Sequence, residues 1–360
     1  SLYNITNQYE NVYIITSCRT SDKNAFLKIE SKYNIIDYNV NEISEDELKD
    51  LEKQYPLINK MSQDKLYESL LKTPFYINIM IKNSVDIDNI TDINKFREYI
   101  WNNIICLKNN KNKYKINVKD IEDAVNKIVF DRAQKFTLGT KETDIDSSIL
   151  NVLETEGIIT YNNEGIRLKY DIYEDICFEN FFDNTYCDCK GKYQVFYKNI
   201  EKIGRCVYRR YQIWISNKLL AKENRYKFIY NLIFDNEISE EWKKQTEIGI
   251  VKSNYSNSFF EENEIEILEK GLLLEFIDII NLYSYDTKII NYEDFCDVQL
   301  IPTGVGRDNV INIIEKNNIY CKNLIDKNKI VKLCLDYTNQ RKQKDEILKK
   351  ICIIMQYYID

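Results

Sequence analysis

The 360-residue chain has no histidine, three prolines and nine glycines. The absence of histidine excludes His-based catalytic triads and removes a common proton-transfer residue and zinc ligand. Few prolines and glycines disfavour long structureless linkers and favour a mostly helical chain. No apolar run reaches the roughly 20 residues that span a bilayer. Residues 1–4 are neither basic nor part of a long apolar run, so we expect no signal peptide.

The charge balance is acidic, with a net charge of −7 and a pI of about 5.2. This balance disfavours nonspecific binding to nucleic acids and to anionic membranes. The ten cysteines are scattered singly apart from Cys187 and Cys189, a pattern typical of reduced, mostly buried thiols in a cytoplasmic protein. The spacing of that one pair is wrong for a zinc knuckle, so we expect no metal site.

Residues 149–182 carry the clearest local pattern. Their first apolar positions follow helical spacing, and Gly157 supplies the residue that tolerates a left-handed conformation after a helix. Residues 158–161 and 166–170 predict two strands joined by a tight turn. A helix, a two-stranded wing and a second helix together predict the closing half of a winged-helix module.

The helix predicted after the wing is acidic. Asp171 followed by Glu174 is typical of a helix N-terminus, with Asp171 as the cap. The predicted buried stripe consists of Ile172, Ile176, Phe178 and Phe182. A helix that binds DNA carries basic residues, whereas this helix also has Asp175 and Glu179, and phosphate repulsion disfavours nucleic acid on that face. A DNA-binding regulator is therefore the weakest of the three functional hypotheses for this chain. The other two are a part of a switch ATPase and a helical scaffold, and both are set out below.

Residues 11–17 form an apolar run that ends in small polar residues, as a strand buried in a parallel sheet does. Residues 33–38 predict a second strand. Arg19 follows the first strand, at the edge where α/β sheets hold their ligands. Taken alone, a core strand followed by a solvated arginine explains this pattern more simply.

The next segment is predicted to be helical. Ser44 and Glu47 form a capping box, and Pro74 is expected to end one helix and begin the next. Residues 96–101 predict an aromatic helix buried between domains.

Residues 108–115 are rich in lysine and asparagine and predict a solvated linker. Residues 118–136 are amphipathic and predict the first helix of the winged-helix module.

From residue 193 onwards one helix signal follows another, with no strand pair. Residues 259–268 predict one of these helices, residues 272–283 another, and Gly304 with Gly306 predicts a turn. Such a series predicts stacked helical pairs in a solenoid-like array, although we find no fixed repeat period. The concave face of such an array suits a protein partner.

The wing resembles part of a known family. A wing strand that leads into an aromatic residue or histidine followed by aspartate resembles the winged-helix domain of STAND-type NTPases, the switch ATPases that include NACHT proteins. In that family a His-Asp pair contacts the nucleotide phosphates and locks the off state. Tyr170 and Asp171 stand at this position, so the aspartate matches and the histidine does not. The resemblance also implies a sensor-1 strand in which Thr16 and Arg19 sense the γ-phosphate, and a proline, Pro74, that packs against adenine.

The resemblance implies a mainly α architecture with a partial α/β NTPase edge. Residues 1–40 would be residual C-terminal strands of the NTPase core, and residues 41–110 a helical domain. Residues 111–187 would be the winged-helix domain, and residues 188–360 the helical, solenoid-like sensor domain.

The phosphate-binding loop G-x-x-x-x-G-K-[ST] does not occur in the sequence, nor does a Walker B run. Phosphoryl transfer therefore lacks its main electrostatic parts. We expect this chain to be a non-catalytic, C-terminal fragment of a longer switch ATPase. The longer protein would hold ATP or ADP with Mg²⁺, and the fragment itself would bind nucleotide weakly or not at all. The family implies a cytoplasmic protein, plausible in bacterial antiphage defence, with a protein trigger on the helical array and a homo-oligomeric active state. The alternative is a non-enzymatic helical scaffold or adaptor with an incidental winged helix and no nucleotide.

Overall fold

The computed structural model describes residues 43–63, 67–83, 90, 93–141, 144–219, 226–283, 285–289, 298–302, 304–317, 321 and 329. This part of the chain is mainly helical, as predicted. The strands predicted at 11–17 and 33–38, and the last predicted helices after residue 330, lie outside the described residues. The described residues between 43 and 285 and those from 302 onwards form one compact unit, and the described residues 286–289 and 298–301 belong to a second one.

The first helices begin where their capping residues predict. Helix α1 spans Glu45–Gln54, and the Ser44–Glu47 capping box is complete. Helix α2 (Pro56–Ser62) and the short α3 (Glu68–Leu71) follow. Helix α4 (Pro74–Asn83) begins at the predicted proline, which needs no amide hydrogen at this position.

The aromatic segment is helical and buried, as predicted. Helix α5 (Ile93–Tyr99) continues into a π-helix at Ile100–Ile105, and Phe96, Ile100 and Trp101 are buried. Wider π-helical turns are rare and often occur at functional sites.

The segment predicted as a solvated linker is instead helical. Lys108–Asn110 forms a 3₁₀ turn and Lys111–Tyr114 forms the short helix α6. Both Lys113 and Tyr114 bind the carboxylate of Glu156, and the lysine contact measures 2.8 Å. The linker prediction was wrong because composition alone does not show this distant acidic partner.

The helices and the two strands predicted between residues 118 and 170 are present. Helix α7 (Val118–Lys135) and helix α8 (Ser147–Thr155) precede strands β1 (Ile159–Asn162) and β2 (Gly165–Leu168). The strands are antiparallel, with Ile159 opposite Leu168 and Asn162 opposite Gly165. An isolated bridge from Thr140 to Ile166 adds a third segment to this sheet.

Two glycines are required by this geometry. Gly157 adopts φ +69° after α8, as predicted. Gly165 adopts φ +123°, and a Cβ there would lie 2.1 Å from the carbonyl oxygen of Thr140. A side chain at position 165 would therefore strain the backbone and separate the third segment from the wing.

Helix α9 (Asp171–Cys189) follows the wing, but its predicted cap was wrong. The N-cap is Tyr170, which makes no side-chain capping bond, and Asp171 is the first helical residue. The extended backbone ends at Tyr170, with φ −125° and ψ 134°, so the helix begins one residue earlier than the capping pattern predicts. The predicted stripe is confirmed, since Ile176, Phe178 and Phe182 are fully buried and Ile172 is partly buried.

The helices after α9 surround an aromatic core. Their bounds are α10 (Tyr193–Glu201), a 3₁₀ turn (Arg205–Val207), α11 (Tyr208–Leu219), α12 (Tyr226–Phe234), α13 (Glu240–Lys252), α14 (Asn257–Glu262), α15 (Glu264–Glu269) and α16 (Leu272–Tyr283). The single helix predicted over 259–268 is therefore two helices. They meet at Asn263, whose side chain donates to the carbonyl of Phe259 at 2.7 Å and competes with the helical backbone bonds.

The prediction that no strand pair follows residue 193 was wrong. Strands β3 (Tyr285–Ile289) and β4 (Val298–Pro302) form a two-stranded sheet. Strand β3 reads Tyr-Asp-Thr-Lys-Ile, and its three consecutive polar residues do not give the alternation of apolar and polar positions that predicts a strand.

Helix α17 spans Gly306–Lys316. The predicted turn is thus limited to Gly304 and Val305, while Gly306 already lies in the helix. None of the helices in the ranges described above is long and apolar enough to cross a membrane.

Candidate functional site

The predicted site residues divide between the described and undescribed parts of the chain. Thr16 and Arg19 lie outside the described residues. Pro74 is exposed at the start of α4, and Asp171 is exposed at the start of α9. Tyr170 is 37% exposed at the end of the wing.

Three aromatic rings bring the starts of α4 and α9 together. The Phe75 ring lies 5.3 Å from the Tyr170 ring and 5.7 Å from the Tyr173 ring, edge to face in both cases. Tyr170 and Tyr173 are 5.4 Å apart in the same arrangement. Each such pair contributes about 0.5–1.5 kcal/mol beyond burial. The residue after Pro74 therefore packs directly on the residue before Asp171, and we refer to this contact as the α4–α9 junction.

The polar groups at the junction have different charges. The Asp171 carboxylate lies in the first turn of α9, where the helix dipole favours a negative charge. Lys169 places its ammonium 5.6 Å from the centre of the Tyr170 ring. The Asp171 carboxylate would repel a phosphate, whereas the Tyr170 hydroxyl and the Lys169 ammonium could donate hydrogen bonds to it.

A buried ion cluster lies one helical turn behind the junction. The Glu174 carboxylate is buried and pairs with Arg132 of α7 and with Arg210 of α11, the latter at 3.4 Å. The Arg210 guanidinium also covers the Phe178 ring at 4.5 Å. Glu174 thus links α9 to helices on both sides of it.

The ion cluster is electrostatically coupled to the junction. Burial lowers the pKa of Arg132, the Asp171 carboxylate opposes this change, and the positive charges of Arg167 and Arg210 act in the same direction as burial. A change in charge at Asp171 would therefore be felt by Arg132.

A second polar link joins α9 to α4 and α5. Arg97 donates through Nε to the Glu179 carboxylate at 2.5 Å and through Nη1 to the Tyr76 hydroxyl at 2.8 Å. Burial alone would lower the pKa of Arg97, but the Glu179 carboxylate raises it above its ordinary value. The other Glu179 oxygen accepts from Asn217 of α11 at 2.5 Å.

The sequence analysis did not identify Arg97, Arg132 or Arg210, and it treated Glu174 and Glu179 as part of an exposed acidic face. A usable signal was present. The apolar residues of α9 occur on nearly all sides of the helix, so its acidic residues also fall on buried faces. Buried carboxylates require cationic partners, and the sequence contains three arginines, Arg97, Arg132 and Arg210, to which the sequence analysis had assigned no role.

A polar cleft of about 700 Å³ lies beside the second link. Its walls come from α5, the π-helix, α7, α9, α11 and α12. The size falls within the range of small-molecule and cofactor sites. Among the described residues, no cluster of histidine, cysteine and carboxylate side chains could hold a metal ion.

Comparison with known proteins identifies no relative. No protein-family model matches the chain, and no curated protein is significantly similar to it. The interpretation of the junction therefore depends on its own residues.

Proposed function

We propose that this chain is the regulatory and sensing part of a STAND-type, ATP-dependent signalling switch in the cytoplasm. In this proposal the wing and α9 form a latch that holds the nucleotide-bound off state. The helices after α9 bind a protein trigger, and the active parent protein is a homo-oligomer. Bacterial antiphage defence is the setting that the resemblance implies.

The observation that supports the latch is the α4–α9 junction. A two-stranded wing leads directly into α9, and the rings of Tyr170 and Phe75 join the start of that helix to the start of α4. Both segments carry the residues that the resemblance associates with nucleotide, Pro74 on one side and Tyr170 with Asp171 on the other. A separation of these segments in the fold would have removed the basis for the proposal.

The polar links behind the junction suit an element with two states. Charged pairs have defined geometry and a large penalty when one partner is lost, so a small displacement at the junction favours discrete rearrangement over gradual deformation. A trigger that binds the released arrangement more tightly would shift the population towards it.

The proposal assigns phosphate and Mg²⁺ binding to sequence outside these 360 residues. ADP or ATP would be held mainly by that part, with Tyr170 as a contact from the latch. The chain itself would bind nucleotide weakly and hydrolyse neither ATP nor ADP. Robust turnover by this chain, abolished by Arg19→Ala, would refute this division.

Calorimetric titration of ADP into the full-length gene product tests the latch. Tyr170→Phe retains the ring contacts and removes the hydroxyl, so we expect an approximately tenfold loss of affinity, typical of one hydrogen bond to a charged group. The control is Tyr161→Phe, on strand β1 and 47% exposed, which should change nothing. Equal affinity in both variants would contradict a role for Tyr170.

The compactness of the unit favours a second candidate, a scaffold or adaptor. The described residues from 43 to 285 form one unit, and α9 is tied by polar contacts to α5, α7 and α11. A rigid scaffold requires such continuity, whereas a latch requires a place to open. Absence of any ADP binding by the full-length product would favour the scaffold.

A further inference from the structure

The cleft beside α9 differs from the junction because its unused hydrogen-bonding groups are neutral. Among the described residues, four acidic and four basic side chains line the cleft, so these charges balance. Its carboxylates already have cationic partners. Arg97 pairs with Glu179 at 2.5 Å and Lys218 with Asp183 at 2.6 Å. Glu98 and Glu122 pair with neighbouring lysines in the same way.

Five asparagine carboxamides supply the groups that remain. On α9, Asn184 donates to the Asn180 side-chain oxygen at 2.8 Å, which leaves Asn180 Nδ2 and Asn184 Oδ1 for another partner. Asn217 donates to Glu179, so its Oδ1 is available, and Asn102 accepts from Lys108, so its Nδ2 is available. The side chain of Asn94 makes neither kind of bond to another residue that the structure describes. The cleft therefore offers at least three carboxamide NH₂ groups as neutral donors and three carboxamide oxygens as neutral acceptors.

These groups surround the cleft instead of lying on one helix. Asn180 and Asn184 occupy adjacent turns of one face of α9, while Asn217 lies on α11. Asn94 belongs to α5, and Asn102 belongs to the π-helix that continues it. A ligand held by all five would contact α5, the π-helix, α9 and α11.

We propose that this cleft binds an extended polypeptide segment through its main-chain amides. A carboxamide presents the same donor and acceptor as a peptide group, so two such groups can pair with the N–H and C=O of one residue. The balanced charge removes any preference for an anionic ligand such as a nucleotide. Recognition of this kind is tolerant of peptide sequence, since it uses groups that every residue carries except for the proline N–H.

A sugar or a nucleoside fits the cleft less well. Such ligands are commonly held against an exposed aromatic face, but Trp101 and Trp214 are 4% and 1% exposed. The Trp214 indole nitrogen already donates to Asp183 at 2.9 Å. Tyr186 and Phe228 are half-buried and pack on each other at 4.9 Å.

Peptide binding here does not require the nucleotide latch, so either proposal can fail without the other.

Fluorescence anisotropy with the full chain tests the site. The probe is a labelled pool of capped eight-residue peptides of mixed sequence with uncharged side chains. We expect saturable binding, and we expect Asn180→Asp and Asn184→Asp each to weaken it about tenfold, because each adds a charge and removes or distorts a carboxamide contact. The control is Asn151→Asp, which adds the same charge at an exposed position of α8.

A second readout confirms the position of the bound peptide. The side-chain amide signals of Asn180 and Asn184 should shift in ¹⁵N-correlated spectra on addition of the peptide pool, while that of Asn151 should not. Circular dichroism shows whether each variant is folded. No peptide binding, or binding unaffected by both cleft variants, would overturn the proposal. Binding of neutral oligosaccharides or nucleosides that is lost in Asn180→Asp would overturn the peptide assignment.

Discussion

The two halves of helix α9 are held by different kinds of contact. In the first half, Glu174 and Glu179 bind arginines of three other helices. In the second half, Phe182 and Tyr186 pack against Trp214 and other rings of the aromatic core at centroid distances of 5.7 and 6.2 Å. The contacts of α9 with arginines therefore lie in the half near the wing, which we call the polar half, and its contacts with the rings around Trp214 lie in the other half, which we call the aromatic half.

This difference has consequences for what each half can do. The stabilisation from burying aromatic rings is roughly proportional to the apolar area removed from water, and it does not depend on one particular neighbour. Buried ion pairs contribute little net stability compared with apolar packing, but losing one partner is costly. We infer that the aromatic half provides stability, while the polar half fixes the orientation of the wing and responds to charge.

The largest expected effect on stability comes from removing an aromatic side chain in the aromatic half. Phe182→Ala removes a fully buried ring and should lower the free energy of unfolding by about 3–5 kcal/mol. Thermal unfolding followed by circular dichroism measures this as a large drop in midpoint temperature. Val195→Ala, at a 43% exposed position of α10, is the control. A small effect of Phe182→Ala would remove the distinction between the halves.

Breaking the ion cluster should have a somewhat smaller effect. Glu174→Gln preserves shape but leaves Arg132 without its buried counter-charge, at a cost of about 3 kcal/mol. The matched control is Glu240→Gln, whose partner Lys243 is 2.9 Å away but whose own side chain is 83% exposed, and it should cost less than about 1 kcal/mol. Equal midpoints for the two variants in urea unfolding would show that the cluster does not hold α9.

The core region contains a buried acid of its own, which adds a pH dependence. Burial, and next the neighbouring Glu275 carboxylate, raise the pKa of Glu247 to about 9 from an ordinary value of 4.5. The folded state thus retains a proton that the unfolded state loses above pH 4.5. The stabilisation from this group is complete below pH 4.5 and is lost as the pH rises towards 9, by at most about 1.4 kcal/mol per pH unit.

Glu247→Gln should remove this dependence between pH 6 and 9, whereas Glu261→Gln, at an exposed position, should retain it. Thermal midpoints of both variants at several pH values give the comparison. A parallel pH dependence in Glu247→Gln and in the unmodified protein would mean that another group causes the decline.

The smallest expected effect concerns a single hydrogen bond of the second polar link. Tyr76→Phe removes the hydroxyl that accepts from Arg97 at 2.8 Å and should cost about 1 kcal/mol. Tyr255→Phe, at a 39% exposed position, should be neutral by the same unfolding assay. Neutrality of both would indicate that Glu179 alone satisfies the Arg97 guanidinium.

The local elements could be predicted because their signals are local. Ser44 with Glu47, Pro74, Gly157 and the turn before Gly165 fix helix ends and a hairpin within a few residues. The start of α9 was misplaced by one residue because the extended conformation of Tyr170 depends on the wing before it.

The polar links could not be predicted because their partners are far apart in the sequence. Arg97 and Glu179 are 82 positions apart in the sequence, and Glu174 and Arg210 are 36 apart. A single sequence carries no periodic signal for such pairs. The cleft is likewise a property of packing, since its five asparagines are distributed over four elements of secondary structure.

Hydrogen exchange of the full-length gene product with and without ADP tests the latch most directly. If the junction holds the off state, ADP should slow exchange in peptides that cover residues 74–77 and 170–174. Peptides from α11, in the aromatic core, should exchange at the same rate in both conditions. Unchanged exchange at the junction on saturation with ADP, or protection confined to regions away from both helix starts, would contradict the account.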